Sequence, residues 1–496
     1  MLNSKDYTIM KEIYKLLIIV ILFIGVGCED FLEKDPPAEV TTSEAILTIN
    51  DAQVALNGVY SSFKSSSYYT RIYTAVPDIL SDEALSVIGY SNQIGEMYKW
   101  SFTPGTGEVT NAWAVMYDAI VRASNIINSI DDIEADADEK NRIKGEALLA
   151  RAIAHFDLVK TYSKTYAAAS ASDNGVPVIL SYELNEPARN TISEVYAQVI
   201  DDATDAKALL TNDSPDQVVL TKYASDALLA RVYLYMENWD KAAEHATNVI
   251  ASNNYTLLSG DPFLNMWLND VGNEIIWKVA LTVNDASGRY IGYNYYNDSQ
   301  GDPKPDYVPA EWLLALYDQG NDIRWNAYYE NTTTGYDFNG DGSYWVTTLV
   351  NKYPTNPAFT GSNQTGANMP KVFRLAEMYL IRAEAYAELG GANETLAMDD
   401  LNFLRAARIG GYVDESLTGA VLKNAIWDER TKELAFEGHR FFDLKRKQMD
   451  MERTPQENTV SGPNSLTITS SDHRWLWPIP QDEMNGNTNM IQNLGY

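Results

Sequence analysis

The sequence predicts a mostly α-helical fold of tetratricopeptide-like repeats, with a loop-rich half carrying a few short strands interleaved among the helices. A recurring pentapeptide comes first: Ala147-Leu148-Leu149-Ala150-Arg151 returns as Ala227-Leu228-Leu229-Ala230-Arg231 and, more loosely, as Tyr379-Leu380-Ile381-Arg382-Ala383. Around the copies, apolar or small residues fall at helical spacing, as in Leu148, Ala152, Phe156 and Val159, or Ala224, Leu228, Val232 and Tyr235. Residues 254–370 then change character, turning to Asn, Gly, Asp, Tyr and Pro, with strand-like runs at 274–283 and 344–350.

At the start of the chain, Lys11 and Lys15 precede a nine-residue apolar run, LLIIVILFI, that leads through Gly25, Val26 and Gly27 to Cys28, the single cysteine. Nine helical residues fall far short of the roughly 30 Å of a bilayer core, so the run reads as an export signal and not as a span. The expectation is cleavage after residue 27 and acylation of Cys28, giving a tethered body of residues 28–496. Gly25 stands where such a cleavage site usually carries a larger aliphatic. With no second cysteine there is no internal disulfide, so a large core must hold the exported chain together.

The helical units are expected around 111–165, 191–252, 371–407 and 418–448. The run at 116–130 is amphipathic, and Trp113 just before it reads as core. After the second pentapeptide, Glu237-Asn238-Trp239-Asp240 reads as a tight turn with Asp240 as N-cap, followed by a helix burying Ala242, Ala243, Ala246, Val249 and Ile250. Helix, short turn, helix at this length is the tetratricopeptide pattern. The third copy turns at Gly390-Gly391, and a further helix is expected over 421–436.

Composition restricts the function. The chain holds 68 Asp and Glu against 38 Lys and Arg, a formal charge of −30, and no basic run; this excludes nucleic acid as a partner and favours a neutral ligand over a polyanion. His155, His245, His439 and His473 are scattered, without paired metal spacing. Gly89-Tyr90-Ser91-Asn92-Gln93 lacks the closing glycine of a nucleophile elbow, and Gly105-Thr106-Gly107 reads as a turn. Asp337, Asn339 and Asp341 alternate like the first half of a calcium loop, but Thr348 occupies the twelfth position, where such a loop needs glutamate. An Asn-Gly-Asp-Gly hairpin turn accounts for the same residues. No catalytic constellation emerges, and the chain reads as a binder rather than an enzyme.

The 32 Tyr and 11 Trp exceed the 13 Phe, and aromatics with a polar edge suit surfaces that are dry on one face and wet on the other. Clusters without helical period, flanked by Gly, Ser and Asn, lie in the loop-rich stretches 61–110 and 254–370. Tyr68, Tyr69, Tyr90 and Trp100 in the first, and Tyr290, Tyr293, Tyr295 and Tyr296 in the second, are the candidate ligand residues.

Glu429, Glu433 and Glu437 are spaced four apart and followed by Gly438, a helix-stop and ion-pair arrangement. With Arg430, Leu434, Phe436, Arg440, Asp443, Leu444 and Arg446 they resemble the C-terminal signature of the SusD/RagB family of outer-membrane lipoproteins. Pro478-Ile479-Pro480, Glu483, Asn487, Gln492-Asn493 and Gly495-Tyr496 match that family's ending, with Thr488 and Met490 departing from it. Cys28-Glu29-Asp30-Phe31-Leu32 and Pro36-Pro37 resemble its post-lipidation segment. The resemblance implies four tetratricopeptide-like units under an irregular ligand-binding half at the cell surface. It also implies capture of an oligosaccharide and its delivery to a SusC-like TonB-dependent transporter, over which the chain acts as a hinged lid. Capture of peptides or another polymer is the alternative within the family, and polysaccharide hydrolysis a distant one.

Overall fold

The computed structural model describes residues 46–89, 93–182, 185–211, 215–283, 285, 290–296, 302–359, 366–460 and 466–496. The chain divides into two units, 1–47 and 48–496, and all the described helices and strands belong to the second. Cys28 and the export signal lie outside the described residues.

The helices that build the body are α1 (Ile49–Phe63), α2 (Ile72–Leu80), α3 (Gly107–Ser129), α4 (Ala137–Tyr162), α5 (Ile192–Leu209), α6 (Lys222–Tyr235), α7 (Trp239–Ala251), α8 (Leu375–Leu389), α9 (Asn393–Arg408), α10 (Gly419–Glu433) and α11 (Arg440–Arg446). From α3 to α9 each helix packs against its successor, and α7 meets α8 although more than a hundred residues separate them in sequence. This nearest-neighbour stacking is the solenoid logic of helical repeats: one amphipathic helix cannot cover its apolar face alone, and the next one covers it.

Helix ends follow local chemistry. Thr191 and Glu194 form a capping box at α5. At α7 the cap is Asn238, whose side chain accepts from the Lys241 N–H, and not Asp240, which sits inside the first turn. Gly390 and Gly391, with φ of 69° and 61°, close α8 as expected. The run read as starting at 116 belongs to a helix beginning at Gly107, and the one read over 421–436 spans Gly419–Glu433.

The pentapeptide's arginine turns out to be an inter-helix clamp. Arg151 on α4 donates two hydrogen bonds to Asp202 on α5, each 2.8 Å. Arg231 on α6 grips Glu377 on α8 at 2.7 and 2.6 Å, and Arg382 on α8 grips Asp400 on α9 at 2.8 and 2.6 Å. The same fork, from the fifth residue of the first two copies and the fourth of the looser third, ties each helix to a later one.

The strands are short and pair antiparallel in four separate two-stranded sheets: β1 (Ala84–Ser86) with β3 (Tyr307–Pro309), β2 (Ile275–Lys278) with β6 (Lys371–Arg374), β4 (Tyr329–Thr333) with β5 (Val346–Val350), and β7 (Met451–Glu452) with β8 (Thr467–Ile468). The two strand-like runs read from sequence become β2 and β5.

The C-terminal signature residues other than Glu437 and Gly438 are buried, and the charged ones pair within the fold. Glu433, fully buried, accepts from Arg374 at 3.0 Å, Arg408 at 2.9 Å and Arg324 at 3.1 Å. Arg324 also pairs with Glu429 at 2.6 Å, and Arg374 with Glu437 at 2.7 Å. Further along, Asp443 accepts from Arg430 and Arg446, Arg446 from α11 pairs with Glu384 on α8, and Arg440 forks onto Asp82. Gly438, at φ 81°, brings its N–H to Asp78, and a Cβ there would lie 3.0 Å from the Thr74 carbonyl oxygen.

Removing one partner of a buried pair strands the other charge, so Arg231→Ala should lower unfolding stability by about 3–5 kcal/mol, read by urea denaturation. Acid should act through the same chemistry. Burial alone would raise Glu384, but Arg446 and Lys447 override it and hold the carboxyl at about 2 against an ordinary 4.5; for Asp443, Arg430 and Arg446 likewise override burial and leave it at about 2. The unfolded chain therefore binds more protons, and the stability present above about pH 4.5 should be lost as the pH falls towards 2. Glu384→Gln should flatten that slope in denaturation curves taken across the acid range.

Candidate functional site

The two loop-rich stretches singled out in the sequence meet in space. Lys64 pairs with Asp285 at 3.1 Å, and β1 pairs with β3. Arg71 donates to Asn294 Oδ1 at 3.0 Å and to Gln93 Oε1 at 2.8 Å, with its guanidinium 5.8 Å from the centre of the Tyr293 ring. The Tyr307 hydroxyl donates to the Gln93 carbonyl at 2.7 Å. Tyr293 and Tyr296 are half-buried here, on the short turn of helix Tyr293–Tyr296 that packs against β5.

Five of the eight sequence-derived aromatics are in the interior. Tyr68 and Tyr69 stack with centroids 4.4 Å apart and both donate to Asp157 Oδ2, at 2.7 and 2.6 Å. Burial, then the Asp157 charge, pushes both phenols well above the ordinary tyrosine range, so they remain neutral donors. Trp100 is 1% exposed, donates to the Leu80 carbonyl at 3.0 Å and sits edge-on to Trp475. Tyr290 packs with Leu281, Phe359 and Ala367, and Tyr295 is edge-on to Phe436. Tyr90 lies outside the described residues. The physical reason for the correction is that lack of helical period reports irregular backbone, not exposure. Here the irregular segments fold back on the helices and build a second core from polar-edged rings.

The residues the sequence proposes for calcium form a hairpin turn between β4 and β5, which pair from Tyr329↔Val350 to Thr333↔Val346. Asp337 accepts from the N–H groups of Gly340 at 2.7 Å and Gly342 at 2.8 Å, and Asp341 accepts from Ser343 at 2.8 Å. Gly340 and Gly342 take φ of 69° and 84°, which the turn requires. Asp337 and Asp341 thus serve their own backbone, Asn339 is exposed, and Thr348 is paired in β5. Among the described residues, no group of three or more His, Cys, Asp or Glu is placed to hold a metal.

What this hairpin displays is aromatic. Tyr336 and Phe338 stack at 5.2 Å with ring planes 13° apart, Trp345 meets Phe338 edge-on at 5.6 Å, and Tyr344 is 54% exposed. The connection is rigid: the Thr334 N–H donates to the Trp345 carbonyl and the Trp345 N–H to the Tyr336 carbonyl, while the Tyr336 hydroxyl reaches the Pro305 carbonyl at 3.1 Å. Four rings on one stapled loop, left partly open to water, make a preorganised stacking surface. These rings are absent from the sequence-derived candidates, because the alternating oxygens of the same segment already account for it as a metal loop or a turn. Four aromatics in ten residues, interrupted by Asn, Gly and Asp and without helical period, are the signal that could have found them.

Comparison with known proteins accords with this architecture. The family model described as SusD family matches residues 324–496, and the one described as starch-binding associating with outer membrane matches 30–234. SusD-like protein P2 of Formosa agariphila is 28% identical, over 98% of this chain and 99% of that protein. The starch-binding protein SusD of Bacteroides thetaiotaomicron is 34% identical over 125 residues, 25% of this chain and 21% of that one. Among solved structures, a SusD superfamily protein from Bacteroides thetaiotaomicron superposes with a TM-score of 0.81 at 28% identity, covering 90% of this chain and 100% of that one. A second, from Bacteroides vulgatus, gives 0.76 at 27% identity, covering 91% and 99%. With matches at both ends of the chain and a shared fold along nearly all of it, the chain is a SusD-like protein.

Proposed function

We propose that this chain binds carbohydrate at the outer membrane, capturing an oligosaccharide and handing it to a SusC-like TonB-dependent transporter without chemical turnover. The observation that carries the reading is the rigid aromatic hairpin of Tyr336, Phe338, Tyr344 and Trp345. Sugar rings present apolar C–H faces to such platforms, and their hydroxyls are met by polar side chains of the kind found at Arg71, Gln93 and Asn339. The charge of −30 favours a neutral polymer over an acidic one. The family's association with the outer membrane and the starch binding named for the Bacteroides thetaiotaomicron relative support the same class.

No described helix is long and apolar enough to cross a membrane. Acylation at Cys28 would hold the body at the surface, since two or more acyl chains at roughly 0.8 kcal/mol per buried CH2 anchor firmly. Tethering raises the binder's effective concentration at a transporter mouth, the physical advantage of a lid over a free binder.

Purified protein lacking the lipid, titrated with neutral plant, host and microbial oligosaccharides, should bind one glycan class without releasing reducing ends. Phe338→Ala and Trp345→Ala should each weaken that binding by about 1–3 kcal/mol, roughly 5- to 150-fold, with the melting transition intact. Unchanged affinity in the double variant would sink the hairpin as the site. Mild detergent extraction of outer membranes should recover a large β-barrel protein with the chain in near-stoichiometric amount. Recovery of the chain alone, where other outer-membrane complexes survive, would refute the lid.

A further inference from the structure

A cleft of about 550 Å³ lies between α3 and the stretches 177–182 and 185–187, and none of its lining residues belongs to the hairpin. We propose that this cleft is a second saccharide-binding site, one that takes a neutral sugar. The inference rests on the carbohydrate-binding reading above and adds to it a position and a ligand charge.

Trp113, Tyr117 and Val121 follow one another at intervals of four, so a single face of α3 supplies one wall. Ile179 and Tyr182 stand on the other, and Asp482 and Glu483 close one end. Trp113 is buried, at 4% exposure, as the sequence led one to expect, yet the covered ring also lines the cleft. Its indole N–H donates to Glu483 Oε2 at 3.2 Å, which fixes the ring's orientation. Among the lining residues the situation reverses at Tyr182, which is 52% exposed. Large apolar side chains held in water beside a cavity mark a surface that another molecule covers.

The walls are stapled in place. The Tyr117 hydroxyl donates to the Pro177 carbonyl at 2.9 Å, Ser124 to the Ile179 carbonyl at 3.1 Å, and Asn128 to the Leu180 carbonyl at 2.9 Å. A segment tied to α3 at three points within four residues cannot collapse into the space, so the cleft is preformed. Its volume falls within the roughly 300–1,000 Å³ of small-ligand sites.

The lining's charge selects the ligand. The lining contains two carboxylates and no Lys, Arg or His; Arg189, close enough to act on Tyr117, lies outside it and is engaged by the Gly175 and Ile491 carbonyls and Asn493 Oδ1, so an acidic or sulfated sugar would meet net repulsion. Hydroxyls are donors that carboxylates and the Asn185 carbonyl can accept, while the apolar face of a sugar ring suits Tyr182 and Tyr117. A neutral saccharide matches both sets at once.

The test uses the purified chain with maltohexaose, laminarihexaose, xylohexaose and mannohexaose as probes, read by calorimetry. Three variants are compared with the parent: Tyr182→Ala and Asp482→Asn, both at exposed positions, and the Phe338→Ala/Trp345→Ala pair. The proposal expects a second equivalent of neutral glycan to bind, to survive in the hairpin variant, and to weaken at least about fivefold in Tyr182→Ala, the loss of one stacked ring. A single equivalent that Tyr182→Ala and Asp482→Asn leave unchanged while the hairpin variant abolishes it would overturn the cleft and keep the carbohydrate-binding reading. Binding lost in Tyr182→Ala but intact in the hairpin variant would overturn the hairpin and keep the cleft. Absence of binding by the parent to any probe, or cleft binding of an oligolysine peptide in place of sugar, would overturn the assignment.

Discussion

The joint between the irregular half and the helical half of this fold is built around the buried carboxylate of Glu433. Three guanidiniums converge on it from three separate parts of the chain: Arg324 from the insertion, Arg374 from the end of β6 and Arg408 from the end of α9. Glu274 beside β2 then bridges Arg374 and Arg408, at 2.8 and 2.7 Å. Burial pushes the Glu433 carboxyl up, and the three cations overcome it and hold the group far below the ordinary range. Such a cluster is weak evidence for net stability, because desolvating the charges costs as much as their attraction returns. Its stronger consequence is for specificity, since a docking of the insertion that missed this register would strand several of these charges in the interior.

Aromatic rings seal that cluster from water. Arg408 lies 4.2 Å above Phe263, and Lys352 lies 3.7 Å from the centre of the Tyr328 ring while donating to Glu437 at 2.7 Å. The abundance of tyrosine thereby finds a structural explanation distinct from ligand binding. Tyr328, Tyr353 and Tyr317 all send their hydroxyls to carbonyls of the segment from Lys432 to Phe436, satisfying backbone acceptors that the end of α10 leaves open. A polar-edged ring can fill volume and cap a carbonyl at once, which phenylalanine cannot.

Rigid helices and a welded insertion allow the loops above them to stay geometrically defined with little regular structure of their own. The β4–β5 hairpin illustrates it: only five residue pairs hold its strands together, yet its connecting loop is pinned by Asp337 inside and by Pro303 and Pro305 outside. Binding surfaces built this way lose little entropy on meeting a ligand.

The sequence by itself determined the helical class, the recurring helical pentapeptide, the turns at Glu237 and Gly390, and the strands β2 and β5, because each is set by local spacing and by backbone positions few residues tolerate. The run from Glu429 to Arg446 was legible as a family signature and as ion pairing, though not as pairing with Arg324, Arg374 and Arg408. Only the tertiary structure decided which aromatics are core and which are surface. Tyr68 and Tyr344 sit in equally irregular, Ser- and Gly-rich surroundings, yet one is sealed against Asp157 and the other stands 54% exposed. Exposure of a side chain depends on what chain segment packs over it from far away in sequence, and no local pattern encodes that distant partner.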